Sequence, residues 1–171
     1  MARFAHTDLN LVVSHRETRN TIQEEMELTV TRAGIAFGHT DRVEMTVSLK
    51  SSRPKPLKLR AFEVTLQEIT TFRPPAAKGA RQSALNRSKT VYTHKDPIGE
   101  MIGRGQEISR NVGFVVPHQG ILLTVKGGKA IDIAYELTVT AVMEGTVDVK
   151  VEHLQCTVSI YPRARAVDLV K

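Results

Sequence analysis

The sequence predicts an all-β chain folded as an antiparallel, immunoglobulin-like sandwich, and three features carry that prediction. Apolar and polar residues alternate with period two along most of the 171 residues, the pattern of strands buried on one face. No segment carries an apolar stripe at helical spacing; the Glu-rich residues 18–26 alone predict a turn or two of helix. Each alternating segment has one apolar face, so each sheet must cover another sheet.

The elements follow in order. Strands are predicted at residues 9–13 and 26–32, and then from Val43, where Val43, Met45, Val47 and Leu49 alternate with Glu44, Thr46 and Ser48. Residues 51–58 (SSRPKPLK) form a polar connection into a long strand at 59–71. Residues 74–88 (PPAAKGARQSALNRS) have the Pro, Gly, Ala, Ser and Arg content of an exposed loop. Further strands are predicted at 89–94, 107–116 and 121–125. From Ile131 an unbroken alternation of Ile131, Ile133, Tyr135, Leu137, Val139, Ala141 and Met143 reaches the turn at Glu144-Gly145-Thr146. The series closes with Val147, Val149 and Val151, then Cys156, Val158 and Ile160. Prolines at Val116-Pro117 and Tyr161-Pro162 end strands, because proline cannot donate to a ladder.

Composition narrows the class. A hydrophobic fraction of 41% with 25% charged residues describes a folded globular chain, and its size allows a full core without disulfides or metals. No apolar run is long enough for a membrane-spanning helix, and no apolar leader follows Met1, so a cytosolic protein is expected. The single cysteine, Cys156, alternates with Val158 and Ile160 and reads as a small buried hydrophobe rather than a reactive thiol. The six histidines show no metal-ligand spacing; Gly103-Arg104-Gly105 and Gly127-Gly128-Lys129 lack the remaining residues of nucleotide-binding loops. No catalytic motif is present, and no cofactor or metal is expected.

The charge is the sharper signal. The net charge is +6, yet from Lys50 to Lys95 there are eleven Lys/Arg against Glu63 and Glu68 alone, and the remainder of the chain is slightly acidic. One set is Lys50, Arg53, Lys55, Lys58 and Arg60; the other is Arg73, Lys78, Arg81, Arg87 and Lys89, with Lys95 beyond. Brought to one side of the sandwich, the two sets would present a positive field to anionic lipid headgroups, or hold acidic or phosphorylated tails of membrane proteins. The plain alternative is that they solvate the protein and guard strand edges. Nucleic acid is not an expected partner, since the stretch holds few aromatic residues for stacking: Phe62, Phe72 and Tyr92, of which Phe62 faces the core. Ser83, Ser88 and Thr90 follow basic residues and could be phosphorylated, which would cut the local charge; Asn86-Arg87-Ser88 is a sequon in form only.

The order of these features resembles the C-terminal domain of the arrestin family. Residues 26–73 (MELTVTRAGIAFGHTDRVEMTVSLKSSRPKPLKLRAFEVTLQEITTFR) are similar to that domain's opening: a strand, a Gly-containing turn, a V-x-M-T-V strand, a basic connection and a long strand. Residues 130–163 (AIDIAYELTVTAVMEGTVDVKVEHLQCTVSIYPR) are similar to its closing hairpin, and residues 108–117 (ISRNVGFVVP) to the strand before its penultimate loop. The basic loop resembles the α-arrestin, or arrestin-related trafficking adaptor, branch. The resemblance implies a sandwich over residues 26–163, with 1–25 as an N-terminal extension or inter-domain segment and 164–171 as a tail. It also implies an N-terminal arrestin domain elsewhere in a full-length protein. The expected role is a non-enzymatic adaptor or scaffold that binds cytosolic tails of membrane proteins, trafficking proteins or the anionic membrane surface in endocytic sorting and signalling. The alternative is a self-associating β-module. The family's P-P-x-Y ligase hook is missing, since Pro74-Pro75 is followed by Ala76-Ala77.

Overall fold

The computed structural model describes residues 16–34, 36–38, 40–74, 84–117, 120–128 and 130–159. Nine strands follow one another: β1 (Arg16–Gln23), β2 (Met26–Ala33), β3 (Ala36–Gly38), β4 (Arg42–Ser51), β5 (Leu57–Phe72), β6 (Leu85–Ile102), β7 (Glu107–Val115), β8 (Ile131–Glu144) and β9 (Val149–Ser159). They form two facing sheets, one in the order β1-β2-β4-β7 and the other in the order β3-β9-β8-β5-β6. All pairings are antiparallel except the short β3–β9 contact. The predicted strand at 9–13 lies outside the described residues.

Period-two burial produces this arrangement. Met26, Leu28 and Val30 of β2 and Val43, Met45, Val47 and Leu49 of β4 meet Phe62, Val64 and Leu66 of β5 and Leu137, Val139 and Ala141 of β8 in one core. Cys156 is buried with them, and burial pushes its thiol pKa up to about 11. Two bulges adjust the faces. Arg60 is an extra residue in β5 between the pairs Leu59–Met143 and Ala61–Val142, which lets Leu59, Ala61 and Phe62 all be buried. In β9 the pairing steps from Val139–Val151 to Leu137–Leu154, with His153 at φ 60°, and the buried set shifts from odd to even residues.

The structure revises several sequence expectations. Residues 18–26 form no helix: β1 and β2 are a hairpin whose turn residues Glu24 and Glu25 both have positive φ, 52° and 61°, as a two-residue primed turn requires. Cross-strand pairing on β2 overrides the helical propensity of the glutamates. The predicted loop at 74–88 is shorter, because Leu85, Asn86, Arg87 and Ser88 pair with β5 and belong to β6, which runs on to Ile102. The predicted strand at 121–125 makes a single bridge, Val125 to Ile133.

One side of the sandwich is closed by a buried cation. Arg32 lies on the inner face of β2, its side chain 2% exposed. Its Nε and Nη2 donate to Glu17 of β1 at 3.0 and 2.7 Å, and Nη2 also donates to the Gln155 carbonyl of β9 at 2.6 Å. Nη1 donates to the Cys156 Sγ at 3.3 Å. One guanidinium thereby ties the edge strand β1 to both sheets, and its charge is fully partnered. Glu17→Ala would strand that charge and should lower unfolding free energy by about 3 kcal/mol. The paired replacement Glu17→Leu with Arg32→Met should cost less than Glu17→Ala alone, read from urea denaturation midpoints.

Candidate functional site at the hairpin end of the second sheet

The second sheet outreaches the first. β5 has 16 residues, β6 has 18 and β8 has 14, whereas β2, β4 and β7 have 8, 10 and 9. Past Leu66 the inward-facing residues of β5 are Glu68, Thr70 and Phe72, all partly exposed. Register sets Leu85 and Ile131 on either side of Phe72, an apolar row across β6, β5 and β8 at the sheet's end. Leu85 is 57% exposed and Ile131 43%. The segment running into β8 adds Leu122 and Val125, so half of the eight large apolar side chains exposed among the described residues lie here.

This end is braced from within. The Tyr135 hydroxyl donates to Glu68 Oε2 at 3.0 Å and accepts from the Leu122 amide at 2.8 Å. Burial, with the Glu68 carboxylate beside it, pushes the Tyr135 hydroxyl well above its ordinary pKa, so it remains a donor. Thr124 holds β9 by two bonds, its amide to the Val158 carbonyl at 3.0 Å and its Oγ1 accepting from the Val158 amide at 2.8 Å. Asp132 accepts from the Gly128 amide at 2.9 Å and from Arg73 Nη2, and Arg73 Nη1 donates to the Gly128 carbonyl at 2.8 Å. The Arg73 hydrogen bond holds the Asp132 carboxyl below the usual range. Gly128 has no substitute in this turn, because a Cβ there would stand 2.1 Å from the Ile131 carbonyl oxygen.

The two predicted basic sets lie at opposite ends of β5, and the structure does not bring them to one side. Lys58 and Arg73 are fifteen residues apart along an extended strand, on the order of 45 Å. At the near end three of the five cations face carboxylates. Lys58 and Arg60 pair with Glu144 at 3.8 and 3.2 Å, and Lys50 stands in register between Glu27 and Glu107. Arg53 donates to Thr146 Oγ1 at 3.3 Å, and Lys55 is exposed in the connecting loop. At the far end Arg73 is engaged by Asp132 and Gly128. Arg87 lies 5.7 Å from the Phe72 ring centroid, Lys89 stands opposite Glu68, and Lys126 is exposed nearby in sequence to Val125. Lys78 and Arg81 lie outside the described residues.

The far end therefore combines exposed apolar residues with cations, and the apolar half was missed by sequence reasoning. The available signal was the continuation of the β5 alternation through Phe72 beyond the polar Glu68 and Thr70. Of the aromatic residues in the basic stretch, Phe62 is buried and Tyr92 packs against Phe114 at 5.2 Å between centroids, leaving Phe72 at this end. No group of three or more His, Cys, Asp or Glu that could hold a metal occurs among the described residues.

Gly128→Ala should open this turn, lowering the melting temperature and raising amide exchange at Ala130 and Ile131 while leaving exchange in β2 and β4 unchanged. Protection unchanged at residues 130–131 would contradict the role given to the turn.

No curated protein matches the chain. Among solved structures, the crystal structure of Spo0M, a sporulation control protein from Bacillus subtilis, is similar with a TM-score of 0.63 at 14% identity, over 86% of this chain and 56% of that one. At that identity the likeness is one of fold, and this chain spans little more than half the length of that protein. The family model for the C-terminal domain of arrestin (or S-antigen) matches residues 23–162, nearly the whole described sandwich. The chain belongs to the arrestin C-terminal domain family.

Proposed function

We propose that this chain is a non-enzymatic adaptor domain that docks on the anionic cytosolic face of a membrane through the hairpin end of its second sheet. In this reading it serves endocytic sorting of membrane proteins whose cytosolic tails it engages, and it is a cytosolic protein recruited to the plasma membrane or endosomes. The fold of the family supports a binding module. The observation that carries the membrane reading is the apolar row Leu85–Phe72–Ile131 flanked by Arg87 and Lys89.

The chemistry follows from that row. Cations near an anionic bilayer contribute about 1 kcal/mol each, a long-range and salt-sensitive attraction. Burying a side chain the size of Leu85 in the acyl boundary adds about 1.5–3 kcal/mol and is insensitive to salt. Docking by both terms needs no opening of the sandwich, because the apolar row is exposed beyond the core. Phosphorylation of Ser83, Ser88 or Thr90 would oppose the electrostatic part.

The test is sedimentation with phosphatidylcholine vesicles, with and without phosphoinositide, across a salt series. The chain should bind the anionic vesicles and lose part of that binding as salt rises. The variant Lys78→Gln, Arg81→Gln, Arg87→Gln, Lys89→Gln should lose the salt-sensitive part, and Leu85→Ser the part that persists at high salt. Equal binding by all three proteins, or none by the unaltered chain, would overturn the proposal.

A further inference from the structure

The outer face of the first sheet carries a separate concavity away from the hairpin end, its base reaching the buried Arg32, Met45 and Val112. It is a groove of about 350 Å³ whose walls include Arg16, Thr31, Arg42, Thr46 and Asn111. Its floor is low because Gly113, in the middle of β7, has no side chain, and Ala33 of β2 has a short one. A glycine inside a strand marks a close approach of other atoms, and here the atoms are those of Arg42. A Cβ at position 113 would stand 2.8 Å from Arg42 Nη2 and 3.2 Å from its Cζ, so the guanidinium lies flat across the strand at that point.

Arg42 is held in that pose. Its Nε donates to Glu44 Oε1 at 2.7 Å, which fixes the plane of the fork, and neither Nη has a hydrogen-bond partner among the described residues. Arg16, on the first strand of the same face, has no ion-pair partner among the described residues. Thr46 Oγ1 donates to Asn111 Oδ1 at 3.1 Å, which uses the amide's carbonyl and leaves its NH2 to donate.

We infer that this groove binds a single carboxylate, taken by the Arg42 fork with Arg16 and the Asn111 amide completing the set. Charge decides the class. Arg32, which also lines the groove, is neutralised by Glu17, so Arg16 and Arg42 against Glu44 leave one net positive charge, which a carboxylate neutralises; a phosphate dianion would bring surplus negative charge against Glu44. Geometry agrees, since a planar fork with two free Nη groups matches two coplanar oxygens. A peptide can offer that group as an Asp or Glu side chain or as its C-terminus.

The experiment is an amide NMR titration of the full chain with three tripeptides: acetyl-Gly-Glu-Gly-amide, acetyl-Gly-Gly-Gly with a free C-terminus, and acetyl-Gly-Gln-Gly-amide. At least one carboxylate peptide should move the Gly113 and Asn111 signals saturably, and which one does so identifies the source; the Gln peptide should not. Gly113→Ala keeps every charge but displaces the Arg42 fork, and Arg42→Lys keeps the charge but removes the fork. Both should weaken binding about tenfold or more, the worth of a charge-assisted hydrogen bond, with melting temperatures near that of the unaltered chain. Leu85→Ser should leave the titration unchanged, which separates this site from the hairpin end. No saturable shift with either carboxylate, unchanged affinity in Gly113→Ala, or tighter binding of inorganic phosphate than of both peptides would overturn the inference.

Discussion

The mismatch in length between the two sheets is the constraint on which the rest of the structure depends. Strands of 8 to 10 residues in the first sheet can cover only part of strands of 14 to 18 in the second. The covered part becomes the core, where Phe62, Leu66, Leu137 and Val139 are buried against Leu28, Val47 and Leu49. Where coverage stops, the inward face changes to Glu68 and Thr70 and ends on Phe72, Leu85 and Ile131. Apolar residues with no opposing sheet normally mark an interaction surface. In the proposed reading the sandwich thus supplies its docking end without a cleft or a moving part.

Two polar devices make that arrangement specific. Arg32 closes the β1 side of the core, where an apolar residue would pack but would not select Glu17 and the Gln155 carbonyl together. Buried ion pairs add little net stability and are costly to break, so its effect is chiefly on which strand lies at the edge. At the far end, Tyr135 with Glu68 and Asp132 with Arg73 hold the segments beside the apolar row by hydrogen bonds instead of by packing. Rigid placement of this kind lowers the entropy lost on docking.

The fold was legible in the sequence because period-two burial is a local property, and the core faces of β2, β4 and β8, and of β5 beyond its bulge at Arg60, follow the alternation. Even the β9 bulge leaves a trace, as the apolar set moves from Val149 and Val151 to Leu154, Cys156 and Val158. The β1 hairpin was not legible, since Glu24 and Glu25 are poor candidates for a turn with positive φ and favour helix in isolation. The charge cluster was legible as composition but not as a surface. Three cations of its first half face Glu144, Glu27 and Glu107, which are distant in sequence and come alongside only through strand pairing. The apolar row is invisible for the same reason: Phe72, Leu85 and Ile131 are neighbours only across three strands.

The central claim, that the uncovered end of the second sheet is the surface that enters a membrane, is tested most directly by depth-sensitive fluorescence. Cys156 is buried with a raised thiol pKa, so an environment-sensitive dye can be placed selectively at an introduced exposed cysteine. The account predicts that dye on Leu85→Cys brightens and shifts to the blue with phosphoinositide vesicles, whereas dye on Met101→Cys, at the opposite end of β6, does not change. A response at position 101 with none at position 85 would contradict it.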